Sequence, residues 1–139
     1  SLLLIGDESL SMNHGKKPSA RIVAVATLCD ESLEVVSGCA KATSALMSKQ
    51  GLKAADIDLF ELHEAFAATS IKCQRDLNID DEKLNVNGGC IALGHPMGAT
   101  GGIMMGTLLD ELERRESKTG IVAASGAAGS GPAILIQCL

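Results

Sequence analysis

Apolar positions in this 139-residue chain fall into short continuous runs and helically spaced sets, with glycines and charged turns between them. Leu2–Ile5 is a continuous apolar run of the kind expected of a strand buried on both faces. Asp7–His14 reads as a short helix or turn, closed by Gly15 and the Lys16-Lys17-Pro18 loop, with His14 exposed at its end. Ala20–Leu28 (ARIVAVATL) is β-branched and apolar and predicts a second strand. Asp30–Ser32 then offers a cap. Val36, Cys39, Ala40, Thr43, Leu46 and Met47 keep helical spacing within Val35–Lys49, which Gly51 ends. Ile57–Leu62 predicts a third strand, with Ile57, Leu59 and Glu61 opposing Asp58, Phe60 and Leu62. Ala65–Leu77 continues as a helix, and Asp80–Lys83 forms a solvated charged turn.

The stretch Asn85–Gly102 (NVNGGCIALGHPMGATGG) breaks this rhythm. Glycine loses the most backbone freedom on ordering and Pro96 lacks an amide donor, so neither a regular strand nor a regular helix can run through it. A tight loop is expected, with His95 held between Gly94 and Pro96. Ala99–Arg114 follows as a helix with Ile103, Met104, Leu108, Leu109 and Leu112 near helical spacing, and Gly98, Gly101, Gly102 and Gly106 thin its first half. The charged segment Glu113–Lys118 leads to a strand over Gly120–Ala124, a small-residue turn over Ser125–Pro132 and a strand over Ala133–Leu139. These last two strands are expected to pair as an antiparallel hairpin. The order βαβαβαββ gives an α/β domain over residues 1–139, with a mixed, mostly parallel sheet covered by helices.

Composition narrows the partners. The chain is 46% hydrophobic and 21% charged but carries only two Phe, no Tyr and no Trp, so aliphatic residues and methionine must fill the core. It has no aromatic platforms on which single-stranded nucleic acid could stack. A net charge of −5 argues against a general polyanion binder. No run reaches the about 18 apolar residues of a membrane span, so neither nucleic acid nor membrane is an expected partner. Five cysteines at irregular spacing, without a C-x-x-C pair, argue against a disulfide framework or zinc site and for reduced thiols in a cytoplasmic compartment. No metal and no cofactor is expected.

His63 ends a strand and precedes a helix, where a histidine is better placed for chemistry than on a helix face. In open α/β sheets ligands collect at such carboxyl ends. Glu64 beside it reads as a cap or loop anchor, and Phe66 as a pocket wall or core residue. The glycine-rich loop could cradle phosphate on free amides, but it matches neither the P-loop nor the G-x-G-x-x-G pattern.

Three segments, His63-Glu64-Ala65-Phe66-Ala67, NVNGGCIALGHPMGATG and GIVAASGAAGSG, together resemble the C-terminal half of the thiolase family, the acetyl-CoA acetyltransferases and 3-ketoacyl-CoA thiolases. The resemblance covers essentially the whole chain. It implies Claisen-type acyl exchange between coenzyme A thioesters, or the reverse thiolysis, and makes acyl-CoA the substrate. The nucleophilic cysteine would come from an N-terminal thiolase half, so the chain is expected to be a fragment of a two-domain protein, inactive alone. A homodimer or homotetramer is also implied. His95 matches the histidine of the family's GHP motif and would activate that cysteine and contribute to an oxyanion hole. His63 would hold a water or thioester oxygen opposite it. The backbone N–H at Ala127 matches a second oxyanion position, and Phe66 and Gly94 would line the substrate pocket. The departure is Ser125, which stands where the family carries its acid/base cysteine; Cys90 and Cys138 match no catalytic position. An unassisted hydroxyl is a far poorer base than a tuned thiol. The alternative is therefore a non-condensing, acyl-CoA-binding or scaffold subunit of thiolase type.

Overall fold

The computed structural model describes residues 1–15, 17–29 and 37–139. The expected cap at Asp30–Ser32 and the first residues of the helix expected from Val35 lie outside these.

Strands β1 (Ala20–Cys29), β2 (Leu59–Leu62), β3 (Thr119–Ala123) and β4 (Ser130–Cys138) form one sheet in the order β1-β4-β3-β2. Helices α1 (Glu8–His14), α2 (Gly38–Gln50), α3 (Ala67–Leu77), α4 (Cys90–Leu93) and α5 (Thr100–Arg114) alternate with them, two of the longer ones falling between β2 and β3. The α/β class and the mixed sheet are as expected, and β3 and β4 form the expected antiparallel hairpin. The balance of directions differs. β2–β3 is parallel, whereas β1–β4 and β3–β4 are antiparallel.

Leu2–Ile5 is not a strand. The segment is irregular, with Leu2 and Leu4 96% and 98% exposed. An apolar run becomes a buried strand only where a sheet edge accepts its hydrogen bonds and layers cover both faces, and among the described residues this run finds neither. Ser1 instead donates through Oγ to the carbonyl of Ala99 at 2.9 Å.

The period-two alternation of β2 separates two cores rather than core from solvent, since all four of its residues are buried. Phe60 and Leu62 face Cys39, Leu46 and Cys73 of α2 and α3, while Leu59 faces Met104, Leu108 and Leu112 of α5. Each fully buried leucine contributes about 1.5–3 kcal/mol. Contact with α5 is close: a Cβ on Gly120 of β3 would lie 2.7 Å from Leu108 Cδ2. On the other side of the sheet, Gly38 starts α2 against β4, where its Cβ would stand 2.2 Å from the Ser130 carbonyl oxygen. The two helix layers therefore grip the sheet from both faces, α5 at the start of β3 and α2 beside the start of β4.

Edge strand β1 is different. Ile22, Val23, Val25 and Leu28 are 39–56% exposed, apolar side chains on an edge strand that nothing in this chain covers among the described residues. No helix among the described residues is long and apolar enough to cross a membrane.

Candidate active site

The site grows from the end of β2. His63 follows its last residue and continues the ladder, with its N–H donating to Ala123 O at 2.9 Å. The side chain is 5% exposed, and Nδ1 lies 3.2 Å from the carbonyl oxygen of Ser125. A carbonyl only accepts, so Nδ1 carries the proton and Nε2 presents its lone pair. Nε2 is buried without a hydrogen-bond partner. Burial, then the neighbouring His95, push the His63 pKa below the ordinary histidine value, which keeps the ring neutral.

The glycine-rich loop is tied back onto the same strand end by its own polar residues. Asn85 imitates a paired strand residue: Oδ1 accepts from Leu62 N–H at 2.8 Å, and Nδ2 donates to Leu62 O at 2.9 Å and to Glu64 Oε1 at 3.0 Å. Glu64 Oε2 accepts from Ile91 N–H at 3.0 Å. Glu64 is thus the loop anchor that its position foreshadows. Gly89 lets the loop approach this carboxylate closely, since a Cβ there would stand 2.4 Å from the Glu64 carboxyl carbon and displace it. Asn87 fixes the loop to α5 by donating to Glu111 Oε2 at 3.0 Å. Glu111 is buried and held well below the usual carboxylate range by hydrogen bonds from Arg114, Asn87 and Arg115.

Within the loop the chain makes one helical turn, α4, which Gly94 closes at φ +91°, a conformation that favours glycine. The turn brings His95 over the end of β2. Its ring centroid is 4.4 Å from that of His63, with planes inclined by 42°. His95 is exposed, and its Nδ1 is 2.8 Å from the hydroxyl of Thr100, the first residue of α5. The two histidines proposed from sequence are therefore adjacent, one buried and one open to solvent.

Ser125 meets His63 through its carbonyl. Its hydroxyl is otherwise engaged, accepting from the Cys39 N–H in the first turn of α2 at 3.2 Å. The other candidates are exposed positions beside these residues in sequence. Ala127 opens a 3₁₀ turn (Ala127–Gly129), in which Ala128 and Gly129 take φ +56° and +73°. Gly94 adjoins His95, and Phe66 is the N-cap of α3. At 64% exposure, Phe66 belongs to a surface wall and not to the core.

Three contributors escaped the sequence reading. Cys90 Sγ and a ring nitrogen from each histidine lie within 4.8 Å of one another. Glu61 is 4% exposed, and burial followed by the charge of Glu64 pushes its pKa up to about 8. Thr100 supplies the partner of His95. The available signals were an acid at an inward strand position and a cysteine and threonine each five residues from His95. Their use depends on a loop path that spacing alone does not define.

Comparison with known proteins agrees with this architecture. Residues 16–138 match the thiolase C-terminal domain, and the chain belongs to that family. It is 43% identical over 141 residues to a 3-ketoacyl-CoA thiolase of Photorhabdus laumondii, covering 99% of this chain and 36% of that protein. A 3-ketoacyl-CoA thiolase of Salmonella typhimurium is 40% identical over 139 residues, with 97% and 36% covered. The crystal structure of the Bacillus anthracis acetyl-CoA acetyltransferase superposes with a TM-score of 0.90 at 36% identity, covering 95% of this chain and 34% of that one. The chain thus spans about a third of the length of these relatives.

Proposed function

We propose that the chain is the C-terminal half of an acyl-CoA acyltransferase of thiolase type, acting in 3-ketoacyl-CoA thiolysis or in the reverse condensation. The observation that carries this reading is the His63–His95 pair, 4.4 Å apart at the carboxyl end of β2. Acyl exchange passes negative charge to a thioester or ketone oxygen, and fixed N–H donors stabilise such charge where it develops. His95, open to solvent and steadied by Thr100, suits the group that takes the proton of an incoming thiol and then donates to the oxygen. His63 suits a fixed partner across from it, through a bridging water or by a change of tautomer, since its own Nδ1 proton is committed to Ser125. In thiolysis, a cysteine thiolate from the N-terminal half attacks C3 of the 3-ketoacyl thioester. The C2–C3 bond breaks, acetyl-CoA leaves as its enolate and takes a proton, and the thiolate of a second coenzyme A releases the acyl group from the cysteine. The Ala127 amide would serve the second oxygen, with Phe66 and Gly94 on the wall of the substrate channel. The uncovered apolar side chains of β1 and the share of its relatives that the chain spans favour an N-terminal half and a homo-oligomer as partners. Free thiols at Cys29, Cys90 and Cys138 suit a cytoplasmic setting.

A second reading rests on Ser125. Its hydroxyl caps α2 and is a poor base for the α-proton, which favours a thiolase-type scaffold that binds acyl-CoA without condensing it. The deciding experiment follows thiolysis of acetoacetyl-CoA and of a longer 3-ketoacyl-CoA by the full-length polypeptide, native and Ser125→Cys. Turnover by the native protein establishes the enzyme. Turnover by the variant alone marks an acyl-transfer scaffold that has lost its acid/base group, and a thiol at the N-terminus of α2 is well placed to ionise. Inactivity of both, in folded protein, rejects the enzyme reading.

A further inference from the structure

We propose that His63, Cys90 and His95 form a binding site for a borderline-soft divalent cation of the zinc class. The proposal needs no acyl transfer and stands whether or not the chain belongs to an active thiolase. Four observations converge on it. One ring nitrogen of each histidine and Cys90 Sγ lie within 4.8 Å of one another, close enough for small side-chain adjustments to bring all three onto one ion. Nδ1 of His63 is committed to the Ser125 carbonyl and Nδ1 of His95 to the Thr100 hydroxyl, which leaves Nε2 as the nitrogen each ring can offer. These two bonds are the outer-shell contacts that metal-bound histidines use to fix ring orientation and tautomer. His63 Nε2 is a lone pair on a side chain 5% exposed, buried without a partner, and a cation would satisfy it.

The donor set decides the chemical class. Two imidazoles and a thiolate select zinc-like ions over magnesium or calcium, which prefer oxygen ligands. Three protein ligands leave a fourth position for water, and the exposed side of His95 supplies an entry path. On binding, Cys90 gives up its thiol proton to solvent and forms the sulfur–metal bond, while both imidazoles bind as neutral rings, so one proton is released per ion. The cysteine spacing gave no sign of this site, because it uses one cysteine and two histidines from separate segments rather than a C-x-x-C pair.

The test titrates Co²⁺ into the chelator-treated full-length protein and follows thiolate-to-cobalt charge-transfer absorption, with zinc added afterwards to compete. Expected are one ion per chain, a charge-transfer band that zinc abolishes and calorimetric release of one proton. Cys90→Ala should remove the band, and Thr100→Val should weaken binding about tenfold or more by removing an outer-shell partner. Circular dichroism of Cys90→Ala and of the control Cys29→Ala verifies that both are folded. The proposal is overturned if no stoichiometric ion binds, or if the band survives in folded Cys90→Ala.

Discussion

His63 and His95 stand 4.4 Å apart and are held by opposite means. His63 is an extension of the sheet, with its backbone in the ladder and its ring against the Ser125 carbonyl. His95 hangs from a loop without strand pairing, placed by Gly94, by the Asn85 and Glu64 ties and by one hydroxyl. The contrast gives the two rings different properties: His63 is fixed, buried and neutral, whereas His95 is accessible and depends on a chain of local contacts. A group that must hold a water or ligand at a set point benefits from the first arrangement, and a group that exchanges protons with a substrate benefits from the second.

Replacing each ring separates these roles and should have the largest effects. His95→Ala should lower thiolysis by the full-length polypeptide by about 10²–10³-fold in kcat, the usual consequence of losing one such group. It should leave thermal unfolding almost unchanged. His63→Ala should lower kcat comparably and also destabilise the fold by about 1–3 kcal/mol, because it removes a buried donor from the Ser125 carbonyl. Equal stability of the two variants in denaturant titrations would erase the distinction.

The next effect lies beneath His63. Glu61 faces the α5 side of β2, and its pKa rises from the ordinary 4.5 to about 8 through burial, then through the charge of Glu64. The folded state therefore holds a proton that the unfolded chain releases above pH 4.5. This group's contribution to stability is full below that pH and is lost as pH rises to about 8. Over that window it should reduce unfolding free energy by on the order of a few kcal/mol. Glu61→Gln should flatten this slope in unfolding titrations run with a chelator present. An unchanged slope would mean that Glu61 is solvated in solution.

On the loop side, Gly89→Ala tests whether His95 depends on the Glu64 tie. The added methyl would meet the carboxyl at 2.4 Å, forcing Glu64 off Ile91 N–H or moving the loop, at a cost of about 1–3 kcal/mol. Activity should fall with stability here, unlike in His95→Ala. Full activity in Gly89→Ala would show that the loop holds His95 without Glu64.

Much of this arrangement was legible in the chain itself. The hairpin, the strand ending at Leu62 and the long helix into Arg114 follow from local patterns, whereas the pairing of His63 with His95 follows only from the family resemblance of their motifs. Leu2–Ile5 misled because an apolar run specifies only a preference for burial, while the neighbour that would accept it is a property of the assembled sheet. Cys90, Thr100 and Glu61 were missed for a related reason. Each acts through a loop that folds back on itself, and its partners are set by left-handed turns at Asn85, Gly88, Gly94 and Met97 that residue type announces only at the glycines. Ser125 was found by its position, but its bond to the amide of Cys39 is a tertiary contact across 86 residues.

The smallest expected effect tests the last link holding His95. Thr100 is buried at the start of α5, and its hydroxyl meets His95 Nδ1 at 2.8 Å. Valine keeps the branched shape and deletes only that hydroxyl, so Thr100→Val leaves the helix start and its packing in place. The loss of one hydrogen bond is worth about 0.5–1.5 kcal/mol, a decrease in kcat/KM of roughly two- to tenfold. The loss should fall on kcat more than on KM, a split that a general stability defect would not produce. If kcat and KM both match the native protein, backbone geometry at Gly94 and Pro96 alone orients His95. Its difference from His63 would then be one of exposure only, not of how each ring is held.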